Sequence, residues 1–228
     1  MQTPDLPHVE TAIVALTNAF RAEQGLAKVA PSPVLAAVAR AFADYLARTG
    51  RFSHTADGRD PGTRARAAGY AFCQIGENLA SHLDSRGFRT RQLAEKAIES
   101  WKASPGHRKT MLLPHVTEIG VAVARAPDKH PKYISVQVFG RPERLKIAYT
   151  VRNETDVTVT YSDGSEDFTA EPSVIASHEQ CLPTTLTFTR TTATGRFKAR
   201  NGDVFVVRGK PGAITVERTQ APPTPHAR

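Results

Sequence analysis

Hydrophobic residues recur at helical spacing in the first half of the chain and alternate at strand spacing in the second. Helical stripes cover residues 9–20, 35–46 and 93–101, and a shorter helix is predicted over 60–69. Two of these helices are expected to begin where a capping side chain precedes proline, at Ser32-Pro33 and at Asp60-Pro61. Ser104-Pro105 repeats that pattern, which places His107 in the first turn of a further helix with Ser104 as its N-cap.

Strand patterns take over beyond this point. Residues 119–124 and 133–139 predict two strands that complete an α-plus-β unit. Six more candidates follow at 145–151, 157–161, 185–189, 196–199, 204–208 and 214–217, and hairpin turns are expected at Asp163-Gly164 and Asn201-Gly202. The fold class is therefore predicted as α+β. An α-plus-β domain is expected over 1–140 and a small all-β sandwich or barrel over 145–219, followed by a proline-rich disordered tail over 220–228.

Charge adds a preference for acidic partners without specifying one. The net charge is +8 and the isoelectric point is about 9.8, but Lys and Arg are scattered among Asp and Glu. No specific nucleic-acid partner is expected, whereas an anionic polymer or membrane surface suits the charge. The sequence shows no transmembrane run, and its first residues lack the features of a signal peptide. A cytoplasmic protein and a mature chain that has lost its signal both remain open.

The two cysteines, Cys73 and Cys181, are too few for a disulfide framework. They could form one disulfide across the two halves of the chain. The interpretation as two separate buried thiols is preferred at this point, because the sequence does not give the Cα separation that a disulfide requires.

Residues suited to a site are His54, Glu77 and His107. Two imidazoles and one carboxylate can coordinate Zn²⁺, or the carboxylate can orient one imidazole from outside the coordination shell. The structural alternative is that Glu77 bonds backbone amides and that His107 serves as a capping residue. Ser104 could be drawn as a nucleophile beside His107, but the capping role is preferred.

Several ordered stretches stand out: FSHT at 52–55 with DG at 57–58, Arg64, GY at 69–70, GENLA at 76–80, WKASPGHR at 101–108 and IGVAV at 119–123. Together they resemble the CAP superfamily of cysteine-rich secretory, antigen 5 and pathogenesis-related proteins, in its bacterial form. The resemblance covers about residues 8–140 and implies an α-β-α sandwich, usually extracytoplasmic, with a central cavity lined by two histidines and two acidic residues. By motif, His54 and His107 correspond to the histidines and Glu77 to the first acid, while Ser104 stands where the second acid is expected.

The resemblance implies a secreted or periplasmic protein whose cavity binds a small ligand, a lipid or a component of the cell envelope. The expected cavity residues are His54, Glu77, Ser104 and His107, with a divalent metal such as Zn²⁺ held by the two histidines. Two alternatives remain. One is a metal-assisted hydrolase or peptidase with Glu77 as general base, and the other is a structural envelope adhesin. No catalytic residue, ligand or oligomeric state follows from the sequence.

Overall fold

The structure, a computed structural model, describes residues 2–189 and 195–220. The chain divides into two compact units, Met1–Arg144 and Leu145–Arg228. In the described residues of the first unit, the helices are α1 (Leu6–Glu23), α2 (Pro33–Thr49), α3 (Pro61–Ala67), α4 (Thr90–Ala103) and α5 (Pro105–Met111). The strands are β1 (Ala30–Pro31), β2 (Phe72–Leu83), β3 (Glu118–Ala126) and β4 (Lys132–Pro142).

The helix ends follow the capping residues that the sequence contains. The Ser32 hydroxyl accepts from the Leu35 N–H at 3.5 Å, and the Asp60 carboxylate accepts from the Thr63 N–H at 2.9 Å. Each side chain satisfies a backbone donor that has no partner inside the helix. Gly50 ends α2 at a φ of 70°, a left-handed conformation that glycine adopts without steric cost. The predicted start of α2 and its predicted end are confirmed.

The four strands form one sheet in the order β1-β3-β4-β2. Strand β4 pairs antiparallel with both β2 and β3, whereas β1 lies parallel to β3 and pairs only with Glu118 and Ile119. As a result β2 is an outer strand on one side. On the other side, β3 is the outer strand beyond Ile119.

Alternating side chains of the sheet build two hydrophobic cores. Val121 and Val123 pack with α1, α4 and α5 on one face. Ala122 and Ala124 pack with α2 and α3 on the opposite face. This arrangement is the α-β-α sandwich that the resemblance implied, and the predicted α+β class is confirmed.

Strand β2 was not predicted from the sequence, although it carries the GENLA motif. Its central residues are buried, and two of them, Glu77 and Asn78, are polar. A strand that is buried around polar residues shows no alternation of hydrophobic and polar positions, so the pattern that predicts strands is missing. Specific hydrogen bonds accommodate its polar side chains inside the unit.

The second unit, in its described residues, contains two four-stranded sheets with the orders β10-β9-β6-β7 and β12-β11-β5-β8. The strands are β5 (Ile147–Asn153), β6 (Val159–Ser162), β7 (Asp167–Ala170), β8 (Ile175–Gln180), β9 (Thr185–Phe188), β10 (Arg196–Lys198), β11 (Asp203–Lys210) and β12 (Ala213–Gln220). One core holds Tyr149 and Phe205 from one sheet together with Tyr161 and Phe188 from the other. Two sheets sharing a core make a β-sandwich.

The turns, strands and tail predicted for this unit are confirmed only in part. Asp163-Gly164 joins β6 to its antiparallel partner β7, so that predicted hairpin is confirmed. The Asn201-Gly202 hairpin is wrong, because the turn links β10 to β11 and these strands belong to different sheets. Strands β7 and β8 were not predicted. Of the predicted tail, residue 220 lies in β12 and residues 221–228 lie outside the described residues.

Two further findings concern membrane-spanning helices and the cysteines. Among the described residues, no helix combines the length and the apolar character needed to cross a membrane. Neither Cys73 nor Cys181 is a free thiol, so the interpretation as two separate buried thiols is wrong. The pairing of Cys73 with Cys181 stays a prediction.

Candidate functional site

Glu77 and Asn78 are neighbours on β2, so their side chains leave opposite faces of the sheet. Glu77 meets Arg64 of α3 on one face. Asn78 meets the backbone of α5 on the other, where its amide donates to the His107 carbonyl at 3.1 Å. Because β2 is an outer strand, groups from the two faces can approach each other over its edge.

Glu77 belongs to a buried ionic network. Its side chain is 1% exposed, and both carboxylate oxygens accept from one nitrogen of Arg64, at 3.0 and 2.8 Å. The other terminal nitrogen of Arg64 donates to the Asp57 carboxylate at 2.8 Å. Arg64 also lies over the ring of Phe42, 3.5 Å from its centroid. A buried carboxylate is tolerated when it is paired in this way, since the paired cation offsets the loss of hydration.

His54 lies in the loop between α2 and α3, and this network fixes its ring. Its Nδ1 is 2.8 Å from the Glu77 carboxylate, while nearly half of the side chain is exposed. A carboxylate only accepts hydrogen bonds, so Nδ1 carries the proton and Nε2 of the neutral ring keeps its lone pair. Arg64 further braces the loop by donating to the His54 carbonyl at 3.0 Å. The structure therefore places Glu77 as an orienting group, the second of the two roles that the sequence left open.

His107 lies at the third residue of α5, as the sequence predicted, and is partly buried. Burial lowers the pKa of His107, and the charge of His54 lowers it further, which favours the neutral ring. Gly76 lets β2 approach the helix that carries His107 closely, because a Cβ at residue 76 would lie 2.9 Å from a Leu113 methyl and 3.0 Å from a Thr110 methyl.

Ser104 occupies the N-cap position of α5, but its hydroxyl makes no capping hydrogen bond. The predicted position is confirmed and the predicted role as a capping side chain is wrong. Its partly exposed hydroxyl offers no charge at the position where a second acid was expected. Trp101 of α4 packs on the face of β2 opposite to Glu77, and its indole N–H donates to the Leu79 carbonyl at 3.0 Å.

The donor set fits a divalent metal only in part. The two imidazoles can offer one nitrogen each, and neutral imidazole is a common metal ligand. Both oxygens of Glu77 are engaged by Arg64, so Glu77 is disfavoured as a third ligand and as a general base. In the described part of the chain, no three His, Cys, Asp or Glu side chains form a group suited to hold a metal ion. The donor types suit at most a two-histidine site, and the described residues do not fit an enclosed three-ligand site.

A cleft of about 250 Å³ opens on the α2–α3 side of the network. Asp57, Arg59 and Arg64 line it together with the aromatic rings of Phe42 and Tyr45. None of the four residues predicted for the cavity lines this cleft. Asp57 and Arg64 were not predicted as site residues, and only their place among the motifs near His54 could have indicated a role in the site.

Comparison with known proteins agrees with the fold and the motifs. Residues 14–139 match the family model described as the cysteine-rich secretory protein family, CAP. The match spans more than half of the chain, and the chain therefore belongs to this family. The predicted family membership is confirmed.

Individual relatives are similar over about half of the chain. The protein YkwD of Bacillus subtilis is 33% identical over 113 residues, which is 49% of this chain and 41% of YkwD. The membrane protein YlbC of the same organism is 32% identical over 118 residues, 51% of this chain and 32% of YlbC. The chain thus spans less than half the length of these relatives. An outer surface protein of Borrelia burgdorferi has a similar fold, with a TM-score of 0.51 and 21% identity over 59% of this chain and 92% of that protein.

Proposed function

We propose that this protein is an extracytoplasmic CAP-domain binding module in which His54 and His107 together hold a divalent cation or a small polar ligand. The observation that carries the proposal is the chain of contacts from Arg64 through Glu77 to His54 Nδ1. These contacts fix one ring with its Nε2 lone pair available, and burial favours the neutral form of the second ring, His107. A bound cation would supply positive charge for recruiting an anionic group of an envelope component.

Two features support an extracytoplasmic location. The family is described as secretory. Neither cysteine is a free thiol, and disulfides persist mainly in oxidising compartments outside the cytoplasm.

The hydrolase alternative is weaker. A general base must reach a water molecule or a substrate, and the Glu77 side chain is only 1% exposed and already accepts from Arg64 and His54. The binding role needs no such access.

The proposal is tested by calorimetric titration of the metal-stripped protein with Zn²⁺. We expect one equivalent to bind, with affinity reduced about tenfold or more by His54→Ala and by His107→Ala, because each removes one of two ligands. His130→Ala is the matched control, since His130 lies on the β3–β4 connection and should leave affinity unchanged. Equal Zn²⁺ binding by all four proteins would contradict the proposed site.

A further inference from the structure

The outer edge of β3 is covered by a strand for only part of its length. The Ser32 N–H donates to the Ile119 carbonyl at 2.8 Å, and the chain then turns away into α2. Beyond Ile119, the described part of the chain contributes no further strand on this side. An outer strand of this kind presents backbone N–H and C=O groups that can pair with another chain.

Two side chains replace the missing strand at Val123. The Glu10 carboxylate accepts from the Val123 N–H at 2.9 Å, and Arg40 donates to the Val123 carbonyl at 2.6 Å. Glu10 and Arg40 also pair with each other. One acceptor and one donor thus meet the backbone as a neighbouring strand would, and the pair marks where the open part of the edge ends.

Val121 lies between these two covered positions. Alternate residues of a strand direct their backbone groups to the same edge, so the N–H and C=O of Val121 point the same way as those of Ile119 and Val123. Neither β1 nor the Glu10–Arg40 pair reaches Val121. Val121 is only 6% exposed, and backbone groups at so buried a position are costly to leave unpaired.

A mainly apolar groove of about 540 Å³ lies directly over this position. Its floor is formed by Ile119, Gly120 and Val121 of β3. Its walls come from α1 and from the start of α2, and the wall residues are mostly small: Thr11, Val14, Ala15 and Asn18 on one side, and Pro31, Ser32, Pro33 and Ala36 on the other. Small walls on both sides of an open edge leave room for a backbone.

We propose that this groove binds an extended peptide segment of a partner protein, which adds to β3 as a short strand between β1 and the Glu10–Arg40 pair. The hydrogen-bonding demand of Val121 selects this occupant, because a hydrocarbon chain would bury the N–H and C=O without a partner. Because Ile119 and Val123 are already covered, the open edge spans residues 120–122, about three residues at roughly 3.3 Å each, and the added strand pairs with Val121. Small apolar side chains at alternate positions suit the walls. This site is separate from the histidines.

The test uses linear heptapeptides selected from a random phage-displayed library against the full chain. We expect the selected peptides to carry small apolar residues at alternate positions. Their binding should shift the amide resonance of Val121. Their affinity should fall about tenfold or more when Ala15→Trp fills the groove, and should be unchanged in Ala19→Trp, an exposed position of the same helix outside the groove. Thr11→Trp is a second variant that fills the groove, so the result does not depend on the folding of a single variant.

Backbone methylation separates strand addition from other modes of docking. Peptides with N-methyl groups on alternate amides, placed to remove the bonds to Val121, should bind about tenfold or more weakly than the parent. The proposal is overturned if no peptide is selected above the background of the blocked variants, or if the methylated peptides bind equally well. It is also overturned if dodecanoate binds the groove and displaces the peptides, or if the edge pairs two copies of this chain in solution.

Discussion

At the scale of single residues, the geometry of the site is held by Arg64 more than by either histidine. Arg64 joins two carboxylates and the carbonyl of His54, although the sequence indicated only the imidazoles and Glu77 as candidates. Histidine and glutamate could be predicted because their chemistry suits a site. The role of Arg64 could not, because a helix arginine has the same appearance in sequence whether it faces solvent or a buried carboxylate.

Replacing Arg64 by Met should destabilise the first unit by about 3–5 kcal/mol, since it leaves the buried Glu77 carboxylate without its cation, while Asp57 keeps its pairing with Arg59. Urea unfolding followed by the fluorescence of Trp101, the single tryptophan, measures this unit. Arg91→Met is the control, because Arg91 forms an exposed pair with Glu95 that should contribute at most about 0.5 kcal/mol. Equal effects of the two substitutions would refute the structural role assigned to Arg64.

Asp57 gives the same network a dependence on pH. Burial raises the pKa of Asp57, but the Arg59 N–H and the charges of Arg64 and Arg59 outweigh burial and hold that pKa below its ordinary value. A depressed folded-state pKa contributes stability that is present above the unfolded value of about 3.9 and lost as pH falls through the lower folded value. The stability difference between wild type and Asp57→Asn should therefore shrink below about pH 4. Urea titrations at several pH values measure it, and a difference independent of pH would count against this account.

At the scale of helices and strands, the helices were predictable and β2 was not. Capping residues and periodic apolar positions specify α1 to α4 locally. By contrast, β2 is defined by what packs on it, with Arg64 meeting Glu77 on one face and Asn78 bonding Gln137 and α5 on the other. Such long-range contacts leave no periodic signature in the strand itself.

The contact between β3 and α2 should be intolerant of a single methyl group. A Cβ on Gly120 would collide with the backbone of Leu35 and Ala36, which cannot move without displacing the start of α2. Gly120→Ala should cost about 1–3 kcal/mol or more. Gly106→Ala is the control, because nothing lies within 4 Å of a Cβ there and the change should cost little. Thermal unfolding of both variants measures the difference, and a tolerated Gly120→Ala would mean that α2 packs less closely than described.

At the scale of the whole molecule, the chain combines a CAP unit with a β-sandwich that the family match does not cover. The fold class could be predicted because the two halves differ in hydrophobic period. The sheet assignment of the second unit could not, since Asn201-Gly202 has the residues of a hairpin turn and yet connects two sheets. Turn residues fix the local backbone and do not choose the partner of the next strand.

The cysteines give a prediction at this scale. Neither is free, and we expect one intramolecular disulfide between Cys73 and Cys181, because the chain contains no other cysteine. Mass spectrometry of a non-reduced digest should yield the linked peptide from monomeric protein. A disulfide-linked dimer, or thiols that alkylate without reduction, would disprove this pairing.

In the proposed site, Glu77 fixes His54 so that its Nε2 and the ring of His107 face one shared ligand. Long-range ¹H–¹⁵N NMR spectra of the imidazoles during a Zn²⁺ titration test this arrangement. We expect His54 to carry its proton on Nδ1 before metal is added, and His54 and His107 to shift together and saturate at one equivalent. A proton on Nε2 of His54, or a Zn²⁺ response from only one of the two rings, would contradict it.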